Sequence, residues 1–380
     1  DLGRYQAGPR CGLMFSRLGA DVIKIERPGG EDSRKHTPYV RGQSAYWVQY
    51  NSGKRSLGLD LYTDQGKEVL KRLVKVSDIF IQNFRPGTIA KMGFSYDVLK
   101  ELNRGIIMVN VSAYGQYGPY RDRVGFDPIG QAISGHMMMT GYEDMPPIKT
   151  YFPVVDRITA LHATIGALGA LWERSESGEG QCVDVALADS GYSLMEIPIT
   201  SYKGTGDIER RKGNGTGLES AYQCTDGWVM LSGLGPENWQ RIAKVVGRVD
   251  WLDDSRFAST EVRDSKRDAL VSDELLKWFS GHSVRECVDL MSSYGVPIAA
   301  VNNIAQAADD PHPWERDLLM EVADPVAGNI HVSGNIMHYS RSGLNIGPAP
   351  LPGEHTEEVL KGLLGMTDGE IATLRDVKAI

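Results

Sequence analysis

The sequence predicts an α/β protein: a mostly parallel sheet covered by helices, followed by a smaller α+β region. Three observations carry that prediction. Short apolar runs alternate with helix-period stretches as far as about residue 200, the pattern of strands joined by crossover helices. A polar, Gly-rich stretch, "SYKGTGDIERRKGNGTGLES", then breaks the alternation. Beyond it, a hairpin-like run leads into several helices.

The elements follow in order. "GPRCGLMFSRLGA" reads as a helix and "DVIKIER" as a strand carrying Lys24 and Arg27. "SLGLDL" is a second short strand, and Thr63 is placed to cap the helix "DQGKEVLKRLVKV". "DIFIQNF" and "IIMVNVSAY" are strands on either side of the helix "SYDVLKELN". "GQCVDVAL" gives one more strand before a helix near Asp189. The chain opens at Asp1 without a methionine, so its natural start is expected upstream, with a first strand before the opening strand-to-helix turn. In the smaller region "AYQCTDGWVMLSG" reads as a hairpin, three helices follow, and "VPIAAV" is a strand. "HVSGNIMHYS" and the helix "HTEEVLKGLLG" close the chain.

At 380 residues, with a net charge of -8, the chain lacks the basic surface expected of a nucleic-acid or membrane-surface protein. An anionic ligand would need a local basic pocket. Cys11, Cys182, Cys224 and Cys287 have neither CxxC spacing nor a neighbouring histidine, which predicts no zinc site, no disulfide framework and a cytoplasmic setting. The histidines show no HxxxH or HExxH spacing, so no metal is expected. No apolar run reads as a membrane span. "GNGTG" does not follow a strand, so it reads as a flexible loop or lid rather than a phosphate loop. Lys54 and Arg55 in "NSGKRS" read as an exposed turn or as half of a phosphate site.

One carboxylate stands out. In "YFPVVDRITALHATIGALGALWE", Asp156 lies where a short apolar run meets a long small-residue helix. Position alone favours an N-cap, because aspartate satisfies free N–H groups and suits the helix dipole. The same place suits a nucleophile: first-turn N–H groups would keep the carboxylate ionised and could hold an oxyanion beside it. The residues leave both readings open.

Several stretches, in order, resemble the class III CoA-transferases of the CaiB/BaiF type, the group of formyl-CoA and carnitine CoA-transferases. They are "QAGPRCG", "LGADVIKIERPGG", "NSGKRSLGLDL", "NFRPGTIAKMGFSYDVLKELN", "SAYGQYGPYRDRVGFDPIGQAISG", "ADSGYSLME" and "PLPGEHTEEVL". The resemblance implies a large Rossmann-like domain built from residues 1–200 and 320–380. It also implies a linker and small α+β domain over 201–319, and an interlocked homodimer.

For chemistry, the resemblance implies transfer of CoA from an acyl-CoA thioester to a free carboxylic acid, with CoA as part of the substrate and no further cofactor. Asp156 becomes the nucleophile, passing through aspartyl anhydride and aspartyl-CoA intermediates. Gln6 touches CoA and orients the acyl group, and Asp127 is a further positioning candidate. The implied CoA contacts are Gln6, Ala7, Arg27, Leu59, Asn83, Phe84, Lys91 and Met92. Gly213, Gly215 and Gly217 would form the lid. Two positions depart from formyl-CoA transferases: Tyr62 replaces a lysine, and the tryptophan near His36 is missing. The related racemases use a histidine where this chain has Phe126, which carries no proton and disfavours isomerisation. A non-catalytic acyl-CoA binding protein is the third reading.

Overall fold

The computed structural model describes residues 1–216, 218–232, 235–257, 259, 272–343 and 346–380. The chain divides into two compact units. The larger holds residues 1–137, 149–207 and 312–380; the smaller holds 138–148 and 208–311.

The larger unit begins with helix α1 (Ala7–Arg17), strand β1 (Ile23–Glu26), helix α2 (Ala45–Asn51) and strand β2 (Arg55–Gly58). Helix α3 (Asp64–Val76) follows, capped by Thr63, whose side chain accepts the Gly66 N–H. Next come strands β3 (Ile79–Gln82) and β4 (Ile107–Ser112), then helices α4 (Asp127–Ile133) and α5 (Val154–Ser177). Strand β5 (Cys182–Ala186) runs directly into helix α6 (Leu187–Ser193).

All of these strand pairings are parallel. Ile23 of β1 pairs with Arg55 of β2, and β4 lies between β3 and β5. The backbone of Asp1 and Leu2 joins the two sets: the Asp1 carbonyl accepts the Ile25 N–H, and the Leu2 N–H donates to Ile81. Every residue of β4 is buried, which is why "IMVNVS" is a nearly unbroken apolar run rather than an alternating one.

Two cores cover the sheet. One packs Leu57, Leu70, Phe80, Phe94 and Met108 against the C-terminal residues Val359, Leu360, Ile371 and Leu374. The other sets Cys11 and Phe15 of α1, and Ala163, Ala167 and Ala170 of α5, against Ile81, Val109 and Val111. The alanines recur at helical spacing, so α5 lies close against the strands. Its outer face is apolar too: Leu161, Ile165, Leu168 and Trp172 form an exposed stripe, with Trp172 77% exposed. Against the sequence expectation, α5 is by length and composition apolar enough to cross a membrane, with 24 residues that include an 18-residue window of mean hydropathy 1.3. The periodicity obscured this, because small alanines supply the apolar character. Its alanine face packs in the core.

Lys54 and Arg55 are neither an exposed turn nor a phosphate site. Lys54 is buried, and its Nζ donates to Pro9 O at 2.7 Å and Asn51 Oδ1 at 2.9 Å, tying α1 to α2. Arg55 pairs with Asp21 and Glu358.

In the smaller unit, the expected hairpin pairs Val229 with Tyr222 and Leu231 with Ser220. Ile298–Ala300 extends this sheet on one side and Gly215–Thr216 on the other. Gly215 is thus part of a ladder, not a free loop. Its φ of +135°, and the Glu219 carbonyl 1.9 Å from where a Cβ would sit, require glycine. Gly213 donates its N–H to the Gly141 carbonyl; Gly217 lies outside the described residues. Tyr222, Trp239, Ile242, Trp251, Phe279 and Met291 form this unit's core. All four cysteines of the chain are free.

Candidate active site

Two adjoining cavities open at the C-terminal ends of the parallel strands, the usual place for ligands in such sheets. The first encloses about 400 Å³ and is lined by Arg27 after β1, Leu59 after β2, Phe84 after β3, and Met92. The second encloses about 390 Å³ and is lined by Gln6, Ala7, Asn83, Arg123, Phe126 and Asp156. Arg4, Phe84 and Arg85 form walls of both. An elongated ligand can therefore run from an apolar recess, past two guanidinium groups, to Asp156.

The loops carrying these residues are fixed by short polar ties. Gln82 Oε1 accepts the Phe84 N–H at 2.7 Å, setting the turn after β3. Asn83 Oδ1 accepts the Arg4 N–H at 2.7 Å, and its Nδ2 returns a bond to the Arg4 carbonyl at 2.8 Å. The Asn83 amide thus joins the β3 loop to the loop before α1. Arg27 pairs with Asp32 at 2.6 Å, and Arg4 grips the other oxygen of the same carboxylate. Arg27 is 61% solvent-exposed and Arg4 40%, so an anionic ligand would compete with Asp32 for them. Lys91 is exposed and lines neither cavity; Arg85, which sequence reasoning missed although it stands in "NFRPG", lines both. Tyr62, at the position of the missing lysine, stands in the first cavity's wall. Gln6 is buried, and its Nε2 has no hydrogen-bond partner among the described residues.

Asp156 does not cap α5. The helix begins at Val154 and Asp156 is its third residue, with no side-chain cap from the preceding position. The cap comes from elsewhere: Asp127, 4% exposed, accepts the Asp156 backbone N–H through Oδ1 at 3.0 Å. Its other oxygen accepts from Gln131 Nε2 at 2.5 Å. This close approach depends on Gly130, where a Cβ would lie 2.9 Å from Val155 Cγ1. The Asp156 side chain is thereby left without a structural role; among the described residues, no hydrogen bond or ion pair engages its carboxylate. Burial, and secondarily the Asp127 charge, push its pKa up to about 7. The first-turn N–H groups were expected to keep it ionised. Asp127 takes the N–H of Asp156 itself and adds a like charge, so the balance reverses.

Comparison with known proteins then decides the family. The family model for CoA-transferase family III matches residues 1–356. The chain belongs to that family. It is 34% identical to the succinyl-CoA–D-citramalate CoA-transferase of Chloroflexus aurantiacus, covering 100% of this chain and 96% of the relative. It is 30% identical to the human succinyl-CoA:glutarate CoA-transferase, covering 98% and 86%. It is also 30% identical to the formyl-CoA:oxalate CoA-transferase of Streptomyces coelicolor, covering 99% and 96%. Among solved structures, a CaiB/BaiF family protein from Brucella suis superposes with a TM-score of 0.84 at 28% identity, covering 95% of this chain and 97% of that one. The chain is therefore a family III CoA-transferase, and its mixed α/β fold with parallel sheets matches that neighbour.

Proposed function

We propose that this transferase works through covalent attachment to Asp156. The observation that carries the reading is the division of labour at the start of α5: Asp127 holds the helix, and the Asp156 carboxylate, in the cavity wall, is left available to react. A carboxylate oxygen of Asp156 attacks the thioester carbonyl carbon; the C–S bond breaks, CoA leaves as the thiolate, and a mixed anhydride remains. The thiolate attacks the Asp156 carbonyl carbon, breaks the anhydride C–O bond and releases the donor acid, leaving an aspartyl-CoA thioester. An acceptor carboxylate attacks that thioester and displaces the thiolate, giving a second anhydride. The thiolate then takes the new acyl group and frees Asp156. Each intermediate keeps an acyl carbon activated, as an anhydride or as the aspartyl thioester.

The Gln6 Nε2, without a partner among the described residues, can donate to a thioester oxygen as charge builds there. Arg4, Arg27 and Arg85 suit the CoA phosphates, while Leu59, Phe84 and Met92 give an apolar seat for adenine. The relatives carry the names of transferases for succinyl, citramalate, glutarate, formyl and oxalate groups, so small carboxylic acids are the proposed substrates, with CoA as part of the substrate. Phe126, 68% exposed in the second cavity's wall, offers no proton and argues against racemisation. The apolar outer stripe of α5 supports an interlocked homodimer, and the four free cysteines suit the cytoplasm. Incubation with donor acyl-CoA and hydroxylamine tests the mechanism: a hydroxamate should form on Asp156, seen by peptide mass spectrometry. An unmodified Asp156 during full turnover would sink it.

A further inference from the structure

Two aromatic rings each stand one residue before a group on which the reaction centre depends. Tyr5 precedes Gln6, and Phe126 precedes Asp127, the residue that accepts the Asp156 N–H at 3.0 Å. Both line the second cavity together with Asp156, and their rings meet edge to face with centroids 6.2 Å apart. They are held unequally. Tyr5 has a φ of +62°, a left-handed conformation that strains a bulky residue and persists only where its surroundings enforce it. His36 braces the Tyr5 ring at 5.6 Å, and Tyr46 of α2 backs His36 at 5.1 Å. Phe126 is 68% exposed, and Tyr5 is its one ring contact among the described residues. A fixed ring and a free one therefore face each other at the cavity that holds Asp156.

The rest of the wall gives that arrangement a purpose. Arg4, Gln6, Asn83, Arg85 and Arg123 make much of it polar, and such groups bind water as well as substrate. An anhydride on Asp156 requires a choice between two nucleophiles: an acid must reach it and water must not. Polar side chains do not make that choice, because both nucleophiles hydrogen-bond to them. Rings do, since they present apolar area, and a free ring at the rim can settle on a bound acyl group and bury its own face. Without such cover, water attacks the acyl carbon of the anhydride and breaks its bond to the Asp156 oxygen. The donor acid leaves and the Asp156 carboxylate is regenerated. The thiolate takes one proton of that water and departs as free CoA thiol, while the other proton goes to solvent.

We propose that Tyr5 and Phe126 select acid over water at Asp156, closing an apolar cover on the acyl anhydride, and so set whether CoA is transferred or lost as free thiol. The inference deepens the transfer reading above and rests on it. Its test reads a ratio rather than a rate. Succinyl-CoA, the donor in two of the relatives' names, is supplied with glutarate; glutaryl-CoA is followed by chromatography and free CoA by a thiol reagent. Tyr5→Gly and Phe126→Ala should each raise the ratio of free thiol to transferred CoA on the order of ten-fold. Tyr5→Phe and Phe126→Trp, which keep a ring, should stay near the wild type. Glycine adopts a positive φ freely, and Phe126 is exposed, so both truncations suit the fold; should one fail to fold, the other decides. The leak should vanish when Asp156→Asn is added, because it drains the aspartyl anhydride, whereas a merely loosened structure would not depend on that residue. A ratio unchanged by ring removal, or a leak that persists without the Asp156 carboxylate, would overturn the proposal. A wild type that forms no hydroxamate on Asp156 would instead remove the transfer reading, and the role of this cover with it.

Discussion

Asp127 Oδ1 accepts the backbone N–H of Asp156 at 3.0 Å, so the cap of α5 and the carboxylate on its first turn belong to different residues. Substituting Asp127 by Asn keeps an oxygen for that N–H but removes a like charge. The Asp156 pKa should fall. Because attack needs the ionised carboxylate, the acid limb of kcat/KM, near pH 7 in the wild type, should move to lower pH. A limb that stays in place would separate the two residues.

Asp156→Asn should fold and fail to react. Transfer should drop by on the order of a thousand-fold or more. The variant should also be the more stable protein at neutral pH. The folded-state pKa of Asp156 is raised from 3.8 to about 7, so the wild type loses stability as pH climbs through that window, and the loss persists above it. The uncharged amide escapes it. Thermal unfolding should give equal midpoints below about pH 4 and a Tm higher by a few degrees for the variant at pH 8.

That part of the site was half legible. The sequence puts Asp156 at the start of a helix, and there it lies. The cap assignment failed because the capping group, Asp127, comes from 29 residues away, and a contact of that range leaves no local spacing. The parallel strands were readable because buried strands are apolar along their length, as in β4. The "GNGTG" segment misled for the opposite reason: Gly215 is demanded by a tight antiparallel ladder, a requirement that composition alone does not distinguish from looseness.

Gly130→Ala should disturb the centre without touching its chemistry. The added methyl would sit 2.9 Å from the fully buried Val155 side chain, and overpacking of this kind costs about 1–3 kcal/mol. A lowered Tm with intact CoA affinity and reduced kcat is expected. Unchanged kcat would mean that α4 and α5 tolerate separation.

Arg27→Ala and Arg4→Ala should each weaken CoA by roughly ten-fold, the loss of one charge-assisted contact. Titration at rising salt should show the weaker salt dependence of a site with fewer cations. If neither variant changes affinity, the phosphates lie elsewhere.

Trp172→Asp, on the outer stripe of α5, should leave the alanine face untouched and weaken association between subunits. Sedimentation of the wild type as a stable monomer on dilution would instead remove the dimer.

Helix α5 has a long reach. At 1.5 Å per residue, Asp156 and Trp172 stand about 24 Å apart on one rod, with alanines keyed into the strands on one side and a greasy stripe on the other. A rod locked along its length transmits displacement rather than absorbing it. Tolerance to substitution should therefore follow a helical beat from end to end. Bulky changes at Ala163 or Ala167, turns away from the chemistry, would act on catalysis by shifting the carboxylate along its axis.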